Sequence, residues 1–318
     1  MTGLNHNMMY APIILFVYNR PDHTLQTLEA LSQNRLASES KLFIYADGPK
    51  SDMLKEQLDQ LRKVREIAKS KQWCGKVEVI ERKENLGLAD NIVNGVTEIV
   101  NRYGKVIVLE DDIITSRHFL SYMNDSLNIY DSVDKVMSIS SYIPKLKPSI
   151  NLDETFFLKF MNCWGWATWK RAWSNFQNDP ELLAEQLIRS NKVYEFDLDN
   201  SIMLFNQLEK NVLGVYKTWA VKWAASIFLN DGLVLYPRIT LTINIGFDGS
   251  GTNCGKASNR KLSKLKDYNI NVSPILLKES EKGRAYFIKY YQKASQMSLF
   301  KKIYTFYYRH LRKYIRRN

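Results

Sequence analysis

Three short runs of uninterrupted apolar residues set the limits on this chain. Pro12–Tyr18 (PIILFVY), Leu42–Ala46 (LFIYA) and Lys105–Leu109 (KVIVL) lack the polar alternation of a strand with one wet face. Such runs fit strands buried on both sides, as in a parallel sheet covered by helices. Helical patterns separate them: Leu25, Leu28 and Leu31 share one period, and the charged stretch Asp52–Lys71 carries Leu54, Leu58, Leu61 and Val64 as its inward stripe. Val77–Ile80 reads as a further strand and Leu88–Tyr103 as a helix. Strand and helix in alternation predict an α/β fold, a Rossmann-like open, mostly parallel sheet flanked by helices.

In such sheets ligands bind beyond the carboxyl ends of the strands. That rule directs attention to Asn19-Arg20, Asp47-Gly48 and Glu110-Asp111-Asp112, each directly after an apolar run. Three adjacent acids at a desolvated strand end repel one another and call for a compensating charge. A Mn2+ or Mg2+ ion supplies it, since these hard cations take carboxylate, phosphate and water oxygens. The competing reading is that the acids cap a turn or meet surface Lys and Arg. Arg20 suits a phosphate clamp, and Asp47 suits either a turn or an acceptor for a base N–H or ribose hydroxyl.

The second half is less regular. It holds two Trp-rich segments, Cys163–Trp173 (CWGWATWKRAW) and Thr218–Trp223 (TWAVKW). A strand-like piece, Leu233–Asn244, leads into the glycine-rich stretch Gly246–Gly255. Large aromatics mostly build cores, so at most one of Trp164, Trp166 and Trp169 is expected to touch a ligand.

Composition narrows the class of function. Three cysteines (Cys74, Cys163, Cys254) are too few and too scattered for a disulfide framework and predict reduced thiols. The four histidines do not pair at metal-ligand spacing, which argues against zinc. No run approaches the roughly 20 apolar residues needed to span a bilayer, and the start lacks a signal-peptide pattern, so a cytoplasmic location is expected. The net charge of +12 is concentrated at the end, where residues 299–318 interleave Lys and Arg with aromatics and contain no acid. That tail fits either an anionic membrane surface or a solvated helix packed on the body; nucleic acid is not the expected partner.

The segments PIILFVYNRPDHT, YADGPKSD, ENLGLADNIVNG and VIVLEDDIITSRHFL, in this order, resemble the nucleotide-binding half of inverting glycosyltransferases with the A-type fold. WGWATWKRAW and NIGFDGSGTNC strengthen the resemblance, which covers roughly residues 10–256. It is similar to a group of bacterial sugar transferases, some labelled hemolysin-like, and more distantly to N-acetylglucosaminyltransferase I. The resemblance implies a catalytic domain over residues 1–257, with a nucleotide-binding half at 10–115 and an acceptor half at 116–257. A basic, aromatic-rich helical extension would follow at 258–318.

By the same resemblance Asp112 would be the metal ligand, Asp111 would contact the ribose and Glu110 a donor-sugar hydroxyl. Asp47 would meet uracil or another base, and Arg20 the diphosphate. Asn85 and Gly87 would lie in the loop beside the donor, and Gly246–Gly255 would order over it. The implied substrates are a nucleoside diphosphate sugar, foremost a UDP-sugar, and a surface polysaccharide or lipid-linked glycan at the inner membrane face. The general base departs from the pattern: Lys217 stands where relatives carry an acid. Asp199 and Asp248 are the acidic alternatives, with Asp197 a third. Two rivals stay open: a sugar nucleotidyltransferase, against which YNRPDH stands in place of a glycine-rich first loop, and a non-catalytic transferase-like binding protein, which Lys217 keeps open.

Overall fold

The computed structural model describes residues 10–145, 151–251 and 265–295. Helix and strand alternate through the first third: β1 (Ile13–Val17), α1 (Pro21–Ser32), β2 (Lys41–Ala46), α2 (Lys55–Lys69), β3 (Lys76–Glu81), α3 (Leu88–Tyr103) and β4 (Lys105–Glu110). Then come β5 (Ile113–Thr115), α4 (Phe119–Ile129), β6 (Val136–Ser140), β7 (Thr155–Leu158) and β8 (Trp166–Trp169). A helical stretch follows, with α5 (Lys170–Trp173), α6 (Pro180–Arg189), α7 (Val193–Phe196), α8 (Leu204–Val212) and α9 (Ala220–Leu229). The described chain closes with β9 (Leu233–Pro237), β10 (Thr242–Asn244) and α10 (Glu281–Ser295).

Eight strands form one sheet in the order β3-β2-β1-β4-β8-β6-β9-β7. The four N-terminal strands pair in parallel, in register Leu15 with Ile44 and with Leu109. β8 is antiparallel to both β4 and β6, and β9 is parallel to β6, so β6 and β9 share the direction of β4. β7 runs against β9 at the edge. The sheet is mixed but mostly parallel and flanked by helices, as the apolar runs predict. β1 is fully buried and β2 and β4 nearly so, which is why their sequences carry no alternation.

Two segments of the second half behave in ways that pattern alone does not give. The Trp-rich stretch supplies β8, inserted into the middle of the sheet with Trp166 and Trp169 buried. Trp166 stacks on Trp219 with centroids 5.1 Å apart, and Trp173 meets Phe176 at 4.6 Å and Trp223 at 5.0 Å. The strand-like piece Leu233–Asn244 is two strands in two sheets. β9 stays in the large sheet, while β10 crosses to pair antiparallel with β5. Leu241 N, donating to Ser141 O at 2.8 Å, anchors the crossing.

The described part of the basic C-terminal segment packs on the same core. Ile270 and Phe287 are buried, and Phe287 lies edge-on to Tyr236 of β9 at 5.1 Å. The acid-free tail from Leu299 lies outside the described residues.

Ile107, in the centre of β4, is wholly buried. Ile107→Ala is expected to cost about 2–5 kcal/mol of stability, read as a lowered midpoint in urea unfolding.

Candidate functional site

Three strands of the parallel region deliver the chemistry-bearing residues to one end of the sheet. β1 ends two residues before Asn19-Arg20, β2 runs into Asp47, and β4 ends on Glu110. In register, Phe16 of β1 faces Glu110 of β4, so Arg20 and the acids meet across adjacent strand ends.

Arg20 grips two carboxylates at once. Its Nη2 donates to Asp111 Oδ1 and, at 2.9 Å, to Asp112 Oδ2, while Nε reaches Asp111 Oδ2 at 3.2 Å. Asp111 and Asp112 are both buried, and Thr27 Oγ1 of α1 holds the Asp111 backbone oxygen at 2.8 Å. Arg20 Nη1 is buried and has no hydrogen-bond partner among the described residues. A buried guanidinium N–H left open is costly, and it marks a place for an acceptor such as a phosphate oxygen.

One arginine does not neutralise three acids. Burial, with Asp112 and Asp111 adding repulsion, pushes the Glu110 carboxyl up to about 8. Burial likewise lifts Asp111 to about 6, against the opposing pull of Arg20. The corner therefore favours added positive charge. Its donor atoms are all carboxylate oxygens, the chemistry that Mg2+ or Mn2+ takes. Among the described residues no group of three or more His, Cys, Asp or Glu side chains is arranged to hold a metal. A cation beside Asp112 would thus draw further oxygens from phosphate and water.

The glycine stretch closes against this corner. Ile245 N donates to Asp112 O at 2.9 Å, and Asn244 Nδ2 approaches Asp112 Oδ1 at 3.4 Å. At Gly246 a Cβ would overlap the Asp112 carboxylate and come within 3.0 Å of Arg20 Nη1. Glycine is required there by close approach. Asp248, two residues on, lies 3.3 Å from His23 Nε2 in the first turn of α1. Ser250, through its hydroxyl and backbone N–H, holds the Asp248 carboxyl below the usual range.

His23 was not singled out by sequence reasoning, because its partners lie more than 80 residues away in the chain. Its place in the first turn after YNRPD is the signal that was available.

Asp47 has a different neighbourhood from the acids. Its Oδ1 accepts from Gly48 N at 2.8 Å and Leu86 N at 2.9 Å, and its Oδ2 from Asn85 Nδ2 and Gly87 N, both at 3.1 Å. A carboxylate has about four acceptor positions, and these four donors occupy them. The side chain expected to read a base therefore pins the loop at 84–87. A Cβ on Gly48 would overlap the Glu84 backbone, so the two loops are in direct backbone contact. Asn85 and Gly87 lie in that loop, with Gly87 at φ +77° as the N-cap of α3.

The structure does not bring Asp199 to the acids. It sits at φ +55° in a bidentate pair with Arg284 of α10, both contacts 2.7 Å, and that pair holds its carboxyl below the usual range. Arg284 also approaches Glu279, which accepts from Lys159 N; Lys159 Nζ binds Asp231, just before β9 begins. Asp199 thus belongs to the opposite end of the strands and ties α10 to the sheet edge. Asp197 is fully buried and accepts from Phe205 N at 2.7 Å at the start of α8. Lys217 binds Asp90 of α3 at 2.5 Å. Of the three tryptophans singled out, Trp166 and Trp169 are core. Trp164 is half-buried between Tyr142 (4.4 Å) and Phe247 of the glycine stretch (5.6 Å), next to the acid corner. Residues 252–255 of that stretch lie outside the described residues.

Residues 13–171, half of the chain, match the family model described as glycosyl transferase family 2. The chain belongs to glycosyl transferase family 2. No curated protein matches it. Among solved structures it is similar to the mannosyltransferase PcManGT from Pyrobaculum calidifontis in complex with GDP-Man and Mn2+, at 11% identity and TM-score 0.35, over 57% of this chain and 46% of that one. It is also similar to S. aureus TarS 1–349 (10% identity, TM-score 0.39, 74% and 59% covered). A third is the galactosyltransferase LgtC in complex with donor and acceptor sugar analogs (8% identity, TM-score 0.38, 71% and 72% covered). The chain spans less than half the length of the mannosyltransferase. At such TM-scores these likenesses carry no weight for the site, and family membership rests on the match over residues 13–171.

The raised Glu110 carboxyl has a sign that can be measured. An unfolded Glu titrates at about 4.3, so ionising Glu110 opposes folding. Its contribution to stability is greatest below about pH 4.3 and is lost as the pH rises through about 8. In chelator-treated protein Glu110→Gln is expected to flatten the fall of melting temperature between about pH 5 and 8, and Mn2+ to reverse that fall in wild type.

Proposed function

We propose that this family 2 chain transfers a hexose or N-acetylhexosamine, with inversion, from a nucleoside diphosphate donor to a surface polysaccharide or lipid-linked glycan. The donor is foremost a UDP-sugar, and the reaction depends on Mn2+ or Mg2+. The observation that carries this reading is the acid corner: Asp111 and Asp112 on Arg20, with Arg20 Nη1 open and Gly246 pressed against both. Asp112, with Glu110 and Asp111 beside it, would hold the cation, and a bound cation would offset the charge of the departing diphosphate. Arg20 Nη1 binds a diphosphate oxygen. Asp47 keeps Asn85 and Gly87 in the shape that borders the donor. The donor-half and acceptor-half division at residues 115/116 and the narrower likeness to hemolysin-labelled transferases belong to the same reading.

For the general base the geometry supports Asp248 over Asp199. Asp248 lies on the stretch that covers the acids and is oriented by His23, whereas Asp199 is committed to Arg284. Asp248 takes the proton of the acceptor hydroxyl as it attacks the anomeric carbon. Trp164 offers its face to a sugar ring beside Phe247.

Titration calorimetry with a panel of nucleoside diphosphates, with and without Mn2+, tests the donor site. One nucleotide is expected to bind in a Mn2+-dependent way, and Asp112→Ala to weaken it at least about tenfold. Absence of binding for every nucleotide would leave the non-catalytic reading. Asp248→Asn is expected to retain donor affinity while lowering turnover by about 10²–10⁴-fold, the usual range for a lost general base.

A further inference from the structure

The donor mouth has an apolar border that the transfer reaction does not use. Leu86 (38% exposed) and Leu88 (42%) flank Gly87 at the start of α3. Leu213 (63%), Val215 (63%) and Tyr216 (44%) form the turn that ends α8. The 2.5 Å ion pair between Lys217 and Asp90 brings the two segments side by side. A single exposed leucine is ordinary on a protein surface, but five large apolar side chains on two segments joined by an ion pair are not. The turn is also shaped from within. Val215 N and Tyr216 N both donate to Lys210 O, at 2.9 and 3.1 Å, and Gly214 supplies the φ of +69°.

We propose that this border, Leu213–Gly214–Val215–Tyr216 with Leu86 and Leu88, docks on an anionic lipid bilayer and turns the donor mouth toward it. The chemistry of the patch fits that occupant. Aliphatic tips enter the boundary between headgroups and acyl chains, and a tyrosine places its ring at headgroup level. Lys210, 4.9 Å above the Tyr216 ring, lies at the foot of the turn, where a long cationic side chain reaches lipid phosphates. Asp90, the acid between the two loops, is already neutralised by Lys217. The chain as a whole carries +12, complementary to an anionic surface. The inference rests on the proposed reading in one respect: a lipid-linked acceptor explains why the donor mouth, rather than another face, meets the bilayer.

The test is partition of the full chain into phosphatidylcholine/phosphatidylglycerol vesicles, comparing wild type with Leu213→Ser/Val215→Ser/Tyr216→Ser. These side chains are exposed, so the variant is expected to fold, checked by an unchanged melting temperature. Losing the burial of three apolar side chains is expected to lower partition at least about tenfold. Unchanged partition would overturn the proposal. So would a loss of self-association in sedimentation with vesicle binding intact, which would make the patch an interface between copies of this chain. Nucleotide titration on the same two proteins keeps the questions separate: dependence of vesicle binding on the turn, with no nucleotide bound by either protein, would retain the docking face and reject the transferase reading.

Discussion

Two buried carboxylates and a third, half-buried one beside a single guanidinium form the constraint around which the rest of the molecule is arranged. Burying like charges is costly unless partners are fixed in place, and each neighbouring element fixes one of them. β1 aims Arg20, β4 aims Glu110, α1 holds the Asp111 backbone through Thr27, and β10 approaches Asp112 through Asn244. The arrangement remains short of positive charge, as the raised Glu110 and Asp111 carboxyls show. A charge deficit of this kind suits a site that is completed by its ligands.

A second acid, Asp47, works in the opposite manner. Every acceptor position is met by the protein's own N–H groups, which makes it a fastener for the loop at 84–87. The two environments separate two uses of a strand-end carboxylate. One is held under-compensated and open to a ligand, while the other is saturated and structural. Their sequence contexts, an apolar strand followed by Asp, are nearly the same.

This explains which parts of the molecule were legible in the sequence. The parallel half was, because burial on both faces removes alternation and leaves the runs IILFV, LFIYA and VIVL. Helix α3 begins and ends where its glycines, Gly87 and Gly104, place its caps. The acid corner was legible because adjacency in the chain is adjacency in space for Glu110, Asp111 and Asp112. What escaped depends on long-range pairing. β8 is an antiparallel strand with a tryptophan at each end, and its place between β4 and β6 is set by pairing with residues 26 to 64 positions away. The pairing of His23 with Asp248 meets the same obstacle, as does the ion pair that removes Asp199 from the site. Lys217 has a simple physical account in its bond to Asp90, which its position in an alignment pattern does not supply.

The sheet's strand order separates the unit that is inherited from the unit that can stand alone. The family match stops at Arg171, directly after β8, yet β7 lies inside that span and its strand partner β9 lies outside it. A chain cut there would carry β7 with no strand to join and would strip β6 of its outer neighbour. The half with recognisable ancestry is therefore an open sheet, and the less regular half supplies β9, the strand that joins β6 to the edge strand β7. Divergence can reshape that outer half only while it still supplies β9 at the same register.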